Sequence, residues 1–130
     1  MKAREDREKY LETIDYFIKE HGYARPLEVA VRLKVTPASV SQMLVKLSND
    51  GLINYQKYRG MTLTQKGKGL LENLQKKENS IYELLRMMGC DDKTAQDKAC
   101  FFEHFIDDDL STKMSDFVNK VKKSNLKLTA

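Results

Sequence analysis

Apolar side chains recur at helical spacing along most of the chain. Tyr10, Ile14, Phe17 and Ile18 predict an amphipathic helix over residues 5–21, which Gly22 stops. Pro26 opens a short second helix over 26–33, with Leu27, Ala30 and Leu33 turned inward. Thr36 is a good N-cap, Pro37 suits the first helical position, and Gly51 lies just past the end of a third helix. Val40, Met43, Leu44 and Leu47 make its buried stripe and leave Ser39, Gln42, Lys46 and Asn49 outside. The period then changes. Ile53, Tyr55, Met61 and Leu63 alternate around residues 57–60, which predicts a β-hairpin. Thr64 can cap a long helix over 65–88 with the stripe Leu70, Leu74, Ile81, Leu85 and Met88. Gly67 and Gly69 cost that helix some propensity near its start. A helix over 92–106 follows, with Ala95, Ala99, Phe102 and Ile106 on one face. A last helix uses Leu110, Met114, Phe117, Val118 and Val121.

The predicted fold is therefore mainly α. An N-terminal winged helix-turn-helix, three helices plus a β-hairpin wing, covers residues 1–68. A helical dimerisation domain covers 69–123, and a flexible tail covers 124–130. So small a unit of three helices buries too little surface on its own, so a homodimer is the expectation.

Composition agrees with a folded helical chain of 130 residues. Hydrophobic residues make up 41% and charged residues 32%, with only 6 Gly and 2 Pro. No apolar run is long enough to span a membrane, and the charged start lacks the core of a secretory signal. The two cysteines, Cys90 and Cys100, make a poor disulfide framework and suit a reducing cytoplasm.

Charge is unevenly spread. Between Arg25 and Lys68 lie eight basic residues and only two acids, Glu28 and Asp50, a local net charge of +6 within a total of +4. A polyanion should therefore meet the first half, and double-stranded DNA is the expected partner. In a helix-turn-helix the second helix enters the major groove. Here that helix spans 36–49 and begins at Thr36 and Pro37. Its early turns show Ser39, Ser41 and Gln42, small or amide side chains suited to base edges, while Lys46 suits a phosphate. Arg25, with Lys57 and Arg59 on the tip of the 53–64 wing, adds cations for the backbone or the minor groove. For any one of these residues, a solvated helix face or a charged turn is as good a reading.

The second half carries a different chemistry. Glu78 follows Leu74 by four residues and precedes Ile81 by three, which places a carboxylate in the stripe of the long helix; an ion pair with Lys77 is the plain alternative. Cys100, Glu103 and His104 stand at i, i+3 and i+4, so three potential metal ligands share one side of one helix, flanked by Gln96 and Asp107. A thiolate, an imidazole and a carboxylate suit Fe(II), Zn, Co or Ni better than Ca or Mg. Nothing suggests an enzyme: there is no HExxH, nucleophile elbow or phosphate-binding Gly loop, and no catalytic residue is assigned. His21, before Gly22, most simply stabilises a helix C-terminus.

Taken together, YLETIDYFIKEHGYAR, VTPASVSQMLVKLSNDGLI, KYRGMTLTQKGKGLL, LLRMMGCDD and CFFEH resemble the diphtheria toxin repressor and manganese transport regulator family of metal-dependent repressors, from Tyr10 to Val121. The length is similar to the two-domain form without an SH3-like third domain. The resemblance implies a homodimeric repressor on a palindromic operator. It matches Cys100, Glu103 and His104 to the ligand cluster of iron-type members and Glu12 to a first-helix ligand of manganese-type members. It places Glu78 where the family uses a long-helix His. Fe(II) or Mn(II) is the implied metal, with Zn, Co or Ni as alternatives. Lys9 stands where the family has another ligand, and an ammonium cannot ligate. Tyr82 and Gln96 stand at two ancillary-site positions of iron-type members.

Three readings stay open at this point. Glu12, Glu78, Cys100, Glu103 and His104 hold one metal; or Lys9 supplies a built-in cation to Glu12 or Glu103 and the regulator needs no metal; or Cys100 is a redox-sensing thiol. In the first, metal binding and DNA binding strengthen each other by the same factor.

Overall fold

The computed structural model describes residues 2–56 and 58–124, with side chains from Asp6 onward. Among the described residues the order is α1 (Lys2–His21), α2 (Pro26–Leu33), α3 (Pro37–Asn49), β1 (Ile53–Gln56), β2 (Gly60–Leu63), α4 (Gln65–Met87), α5 (Asp92–Phe102) and α6 (Asp108–Lys123). The chain forms two compact units, Met1–Leu71 and Glu72–Ala130. Residues 125–130 of the expected tail lie outside the described residues.

The first unit is the winged helix-turn-helix. Its core gathers Tyr10, Leu11 and Ile14 from α1, Val29 and Ala30 from α2, Val40, Leu44 and Leu47 from α3, and Leu52, Ile53, Met61 and Leu63 around the hairpin. β1 and β2 are antiparallel, with Ile53 opposite Leu63 and Tyr55 opposite Met61. Ala24 adds an isolated bridge to Met61: its N–H donates to Met61 O at 3.0 Å and its carbonyl accepts from Met61 N at 2.7 Å. Gly60 stands beside this bridge at φ +90°, and a Cβ there would lie 2.7 Å from Ala24 O. Only glycine fits both the angle and the space.

One inward assignment in this unit is corrected. Leu27 is 68% exposed. Val29, Ala30 and partly buried Leu33 centre the inner arc of α2 about a third of a turn away from it. Tyr55 is also exposed, because only Ile53 of β1 reaches the core.

The start of α4 explains a residue that looked costly. Thr64 Oγ1 accepts from Gly67 N at 3.1 Å while its hydroxyl donates to Gly51 O at 2.6 Å. This ties the cap of α4 to the end of α3. Leu52 O then lies against Gly67, so close that a Cβ would sit 2.2 Å from it.

The second unit is thinly packed. Its buried apolar residues are Leu74, Ile81, Ala95, Ala99, Val118 and Val121, while Met88, Phe101, Phe102, Phe105, Leu110 and Phe117 are exposed. Met88 of the predicted α4 stripe, Phe102 of the predicted α5 face, and Leu110 and Phe117 of the last helix are thus exposed: the unit turns its phenylalanines outward, as a chain that needs a partner would. The stripe of α4 is corrected as well. Position 77, three after Leu74 and four before Ile81, satisfies the same period as position 78, and Lys77 takes it at 1% exposure while Glu78 is half-buried. Polar pairs then join α4 to α6 in ascending order. Asp108 accepts from Asn73 Nδ2 at 2.8 Å and lies 3.2 Å from Lys77 Nζ. Ser80 and Ser115 hydroxyls are 2.5 Å apart, and Lys122 Nζ is 2.5 Å from Glu83.

Two glycines of one helix should respond oppositely to alanine. Gly67→Ala should lower stability by about 1–3 kcal/mol through overpacking against Leu52 O. Gly69 has open space around it, so Gly69→Ala should raise stability by roughly 0.5–1 kcal/mol. Thermal unfolding of the two variants measures both; equal shifts would contradict the close approach.

Candidate nucleic-acid interface and metal-binding turn

The helix-turn-helix corner is built from backbone. Lys34 closes α2 in the left-handed region at φ 56°, with its N–H turned back to Ala30 O and Val31 O, and Val35 N donates to Ala30 O at 3.1 Å. Thr36 Oγ1 then accepts from Ser39 N at 3.1 Å and its hydroxyl donates to Ser39 Oγ at 2.9 Å. Thr36 and Ser39 are exposed, yet their first task is to cap α3. Pro37 takes the first helical position, and Ser41, Gln42 and Lys46 project from the exposed side. Val45, absent from the expected contacts, is 60% exposed beside Gln42 and Lys46. Its spacing of four from Ser41 and three from Gln42 was the available signal. An exposed methyl pair on such a face can pack against a thymine methyl.

Arg25 precedes the first residue of α2 and is held from two sides. Its N–H donates to Glu28 Oε1 at 3.1 Å, and its guanidinium lies 5.1 Å from the Tyr23 ring centre. Glu28 Oε2 in turn lies 2.8 Å from His21 Nε2, and the His21 ring packs 4.5 Å from Tyr23. His21 thus ties the end of α1 to the start of α2, beyond the simple helix-end role expected of it. On the wing, Arg59 is exposed, and Tyr58 is 88% exposed at φ 76°. Lys57 lies outside the described residues. An open groove of about 990 Å³ runs along the wing between Arg25 and Arg59, lined also by Tyr23, Asn54, Tyr55 and Tyr58. Cations interleaved with aromatic rings suit a phosphate backbone with its sugars and bases.

In the second unit α5 is shorter than the expected 92–106. Glu103 is its C-cap, with N–H donated to Ala99 O at 3.0 Å, and Phe105 N donates to Phe102 O at 2.9 Å in the following turn. Asp107 then caps α6 by accepting from Leu110 N at 2.8 Å. This break matters chemically. Neighbouring residues on a continuous helix point about 100° apart. On the turn, Glu103 and His104 are both buried, with Nε2 and Oε1 3.4 Å apart. Cys100 sits exposed on α5, and Glu78 is half-buried on α4. In the first unit Glu12 is half-buried on α1 and Lys9 is exposed.

Tyr82 and Gln96, at the two ancillary positions, are occupied with each other's neighbour. The Tyr82 hydroxyl donates to one oxygen of Asp92 and Gln96 Nε2 donates to the other at 3.1 Å, linking α4 to α5. The hydrogen bond to Asp92 holds the Tyr82 hydroxyl above its ordinary pKa of 10.0. At the start of α5, Asp91 accepts from Thr94 N at 2.7 Å, and this backbone bond lowers its carboxyl below the ordinary 3.8.

Comparison with known proteins agrees with both halves. Residues 3–61 match the iron dependent repressor N-terminal DNA binding domain, and residues 64–126 match the iron dependent repressor metal binding and dimerisation domain. The chain is 34% identical over 117 residues to the HTH-type transcriptional regulator MntR of Lysinibacillus sphaericus, covering 90% of this chain and 84% of that one. It is 38% identical over 119 residues to an uncharacterised HTH-type transcriptional regulator of Methanocaldococcus jannaschii, covering 88% and 94%. Among solved structures, the hypothetical protein SSo2273 from Sulfolobus solfataricus superposes with a TM-score of 0.77 at 26% identity, over 90% of this chain and 89% of that one. ScaR with bound Cd2+ superposes with a TM-score of 0.75 at 25% identity, over 87% of this chain and 53% of that one.

The Asp91 cap gives a pH test with a defined sign. Its folded carboxyl is more acidic than its unfolded one, so its stabilisation is full above 3.8 and fades as pH falls through the lower folded value. Asp91→Ala should therefore be less stable than wild type at neutral pH, with the gap narrowing below about pH 3.8 in thermal melts.

Proposed function

Because the chain belongs to the iron dependent repressor family and carries both its DNA-binding and its metal-binding and dimerisation domains, we propose that it works as a homodimeric repressor that answers to Fe(II) or Mn(II). The family consists of metal-dependent transcriptional regulators, not enzymes. In this reading two copies place their 36–49 helices in successive major grooves of a palindromic operator, roughly 34–36 Å apart or a multiple of that. Ser41 and Gln42 read base edges, Lys46 meets phosphate, and Arg25 and Arg59 flank the groove along the wing. Thr36, Pro37 and Ser39 fix where the helix starts, and Lys57 is a further cation of the sequence.

The observation that carries the metal part is the turn after α5, where a carboxylate and an imidazole are buried side by side. Burying either group alone is costly, and a divalent cation satisfies both. Glu103 and His104 would be two ligands, with Glu12, Glu78 and Cys100 as the others that the family resemblance implies. Oxygen, nitrogen and sulfur donors together fit a divalent transition metal. When bound, that ion supplies positive charge among acidic side chains. The chain's own part is to hold Glu103 and His104 on a capped turn, between α5 and the Asp107 cap of α6. Glu12 belongs to the DNA-binding unit, so a ligand set that includes it links metal occupancy to the placement of α3. The linkage is reciprocal: operator DNA must raise metal affinity by the factor that metal raises DNA affinity.

The test starts from a duplex selected out of a random pool by the purified protein. Mn(II), or Fe(II) without oxygen, should tighten binding to that duplex by about 5–150-fold over chelator. Glu103→Ala and His104→Ala should abolish the gain and reduce bound Mn(II) measured by electron paramagnetic resonance. Equal affinity in every sample would eliminate metal control in favour of a metal-independent regulator. A response to oxidant that Cys100→Ser removes would assign control to the thiol instead.

A further inference from the structure

Glu28 and Asp50 are the only acids in the basic stretch between Arg25 and Lys68, and each is paired with a residue of α1. Glu28 meets His21 at the end of α1. Asp50 Oδ2 meets Arg7 Nη1 near its beginning, at 2.9 Å. The second pair is in an unusual place. Asp50 is the C-cap of α3, where a carboxylate faces the negative end of the helix dipole. A helix end would ordinarily favour a cation there, so the acid is explained by what it holds rather than by the helix it ends. Asp50 is also fixed from the other side, since Lys66 Nζ donates to its carbonyl oxygen at 2.8 Å.

The packing gives this pair a role. α1 packs on α2 and β2, while α3 packs on α2 and β1. Arg7 to Asp50 is therefore a direct tie between the first helix and the end of the recognition helix, bypassing α2. The other end of α3 is set by its own Thr36–Ser39 cap. Arg7 shares α1 with Glu12.

We propose that the Arg7–Asp50 ion pair is the positioning contact through which α1 sets the far end of α3, so that metal held at Glu12 is felt by the recognition helix. This rests on the metal-responsive reading above. Arg7 and Asp50 touch neither metal nor DNA in this scheme; they act through the helices that do.

The experiment compares Arg7→Gln, Asp50→Asn and the charge-swapped double variant Arg7→Asp/Asp50→Arg with wild type. It reads the ratio of affinities for the selected duplex with saturating Mn(II) and with chelator. Each single variant should lower that ratio about threefold or more, the scale of a partly exposed ion pair. Mn(II) affinity without DNA should stay unchanged, and the double variant should recover the ratio. A loss of general stability would weaken DNA binding equally with and without Mn(II) and leave the ratio intact. Asp50→Asn, which keeps the shape of the side chain, guards against misfolding of the Arg7 variant. Unchanged ratios in both single variants would overturn the proposal while leaving metal control standing. A wild-type ratio of one would remove metal control, and this proposal with it.

Discussion

Burial of one face of α1 underlies the geometry of the DNA-binding unit. Leu11 and Ile14 are fully excluded from water and pack in one cluster with residues from α2, α3 and both strands. Completely burying side chains of this size contributes about 1.5–3 kcal/mol each, against roughly 0–1 kcal/mol for an exposed ion pair. Apolar packing therefore decides that α1 is the beam of the unit. The polar pairs at its two ends, His21 with Glu28 and Arg7 with Asp50, add direct ties to α2 and to the end of α3.

Much of this was legible in the residues because several local signals agree. Thr36, Pro37 and Gly51 bracket α3, and the alternation of Ile53, Met61 and Leu63 gives the hairpin its inner face. The misplaced stripes of α2 and α4 share an origin in phase. On an eight-residue helix such as α2, an inner arc centred about a third of a turn from Leu27 leaves that residue outside without spoiling the period. On α4, positions 77 and 78 fit the stripe equally well, and hydrophobicity favours neither Lys nor Glu. Burial of Lys77 depends on Asp108, which lies 31 positions further on and which no local pattern can supply.

The candidate site divides in the same way. Cys100, Glu103 and His104 are recognisable as ligand types, but their spacing shares one helix side only if the helix continues to 106. The helix ends at Phe102, and the break is what buries Glu103 and His104 together while Cys100 stays exposed. Tyr82 and Gln96 could be recognised as departures from the family, yet not as partners of Asp92. Their hydrogen bonds span α4 and α5 with ordinary side chains.

The polar pairs between α4 and α6 fall on Asp108, Ser115 and Lys122, which are seven residues apart each time. Seven residues bring a helix back to nearly the same side. The three rungs consequently stand or fall as a set. Inserting a single residue between Ser111 and Ser115 would rotate everything after it by about 100°, parting two rungs at a stroke and carrying Val118 and Val121 out of the interior with them. In descendants of this chain, length changes in α6 should therefore collect beyond its last rung, and substitutions should come far more readily than insertions within it.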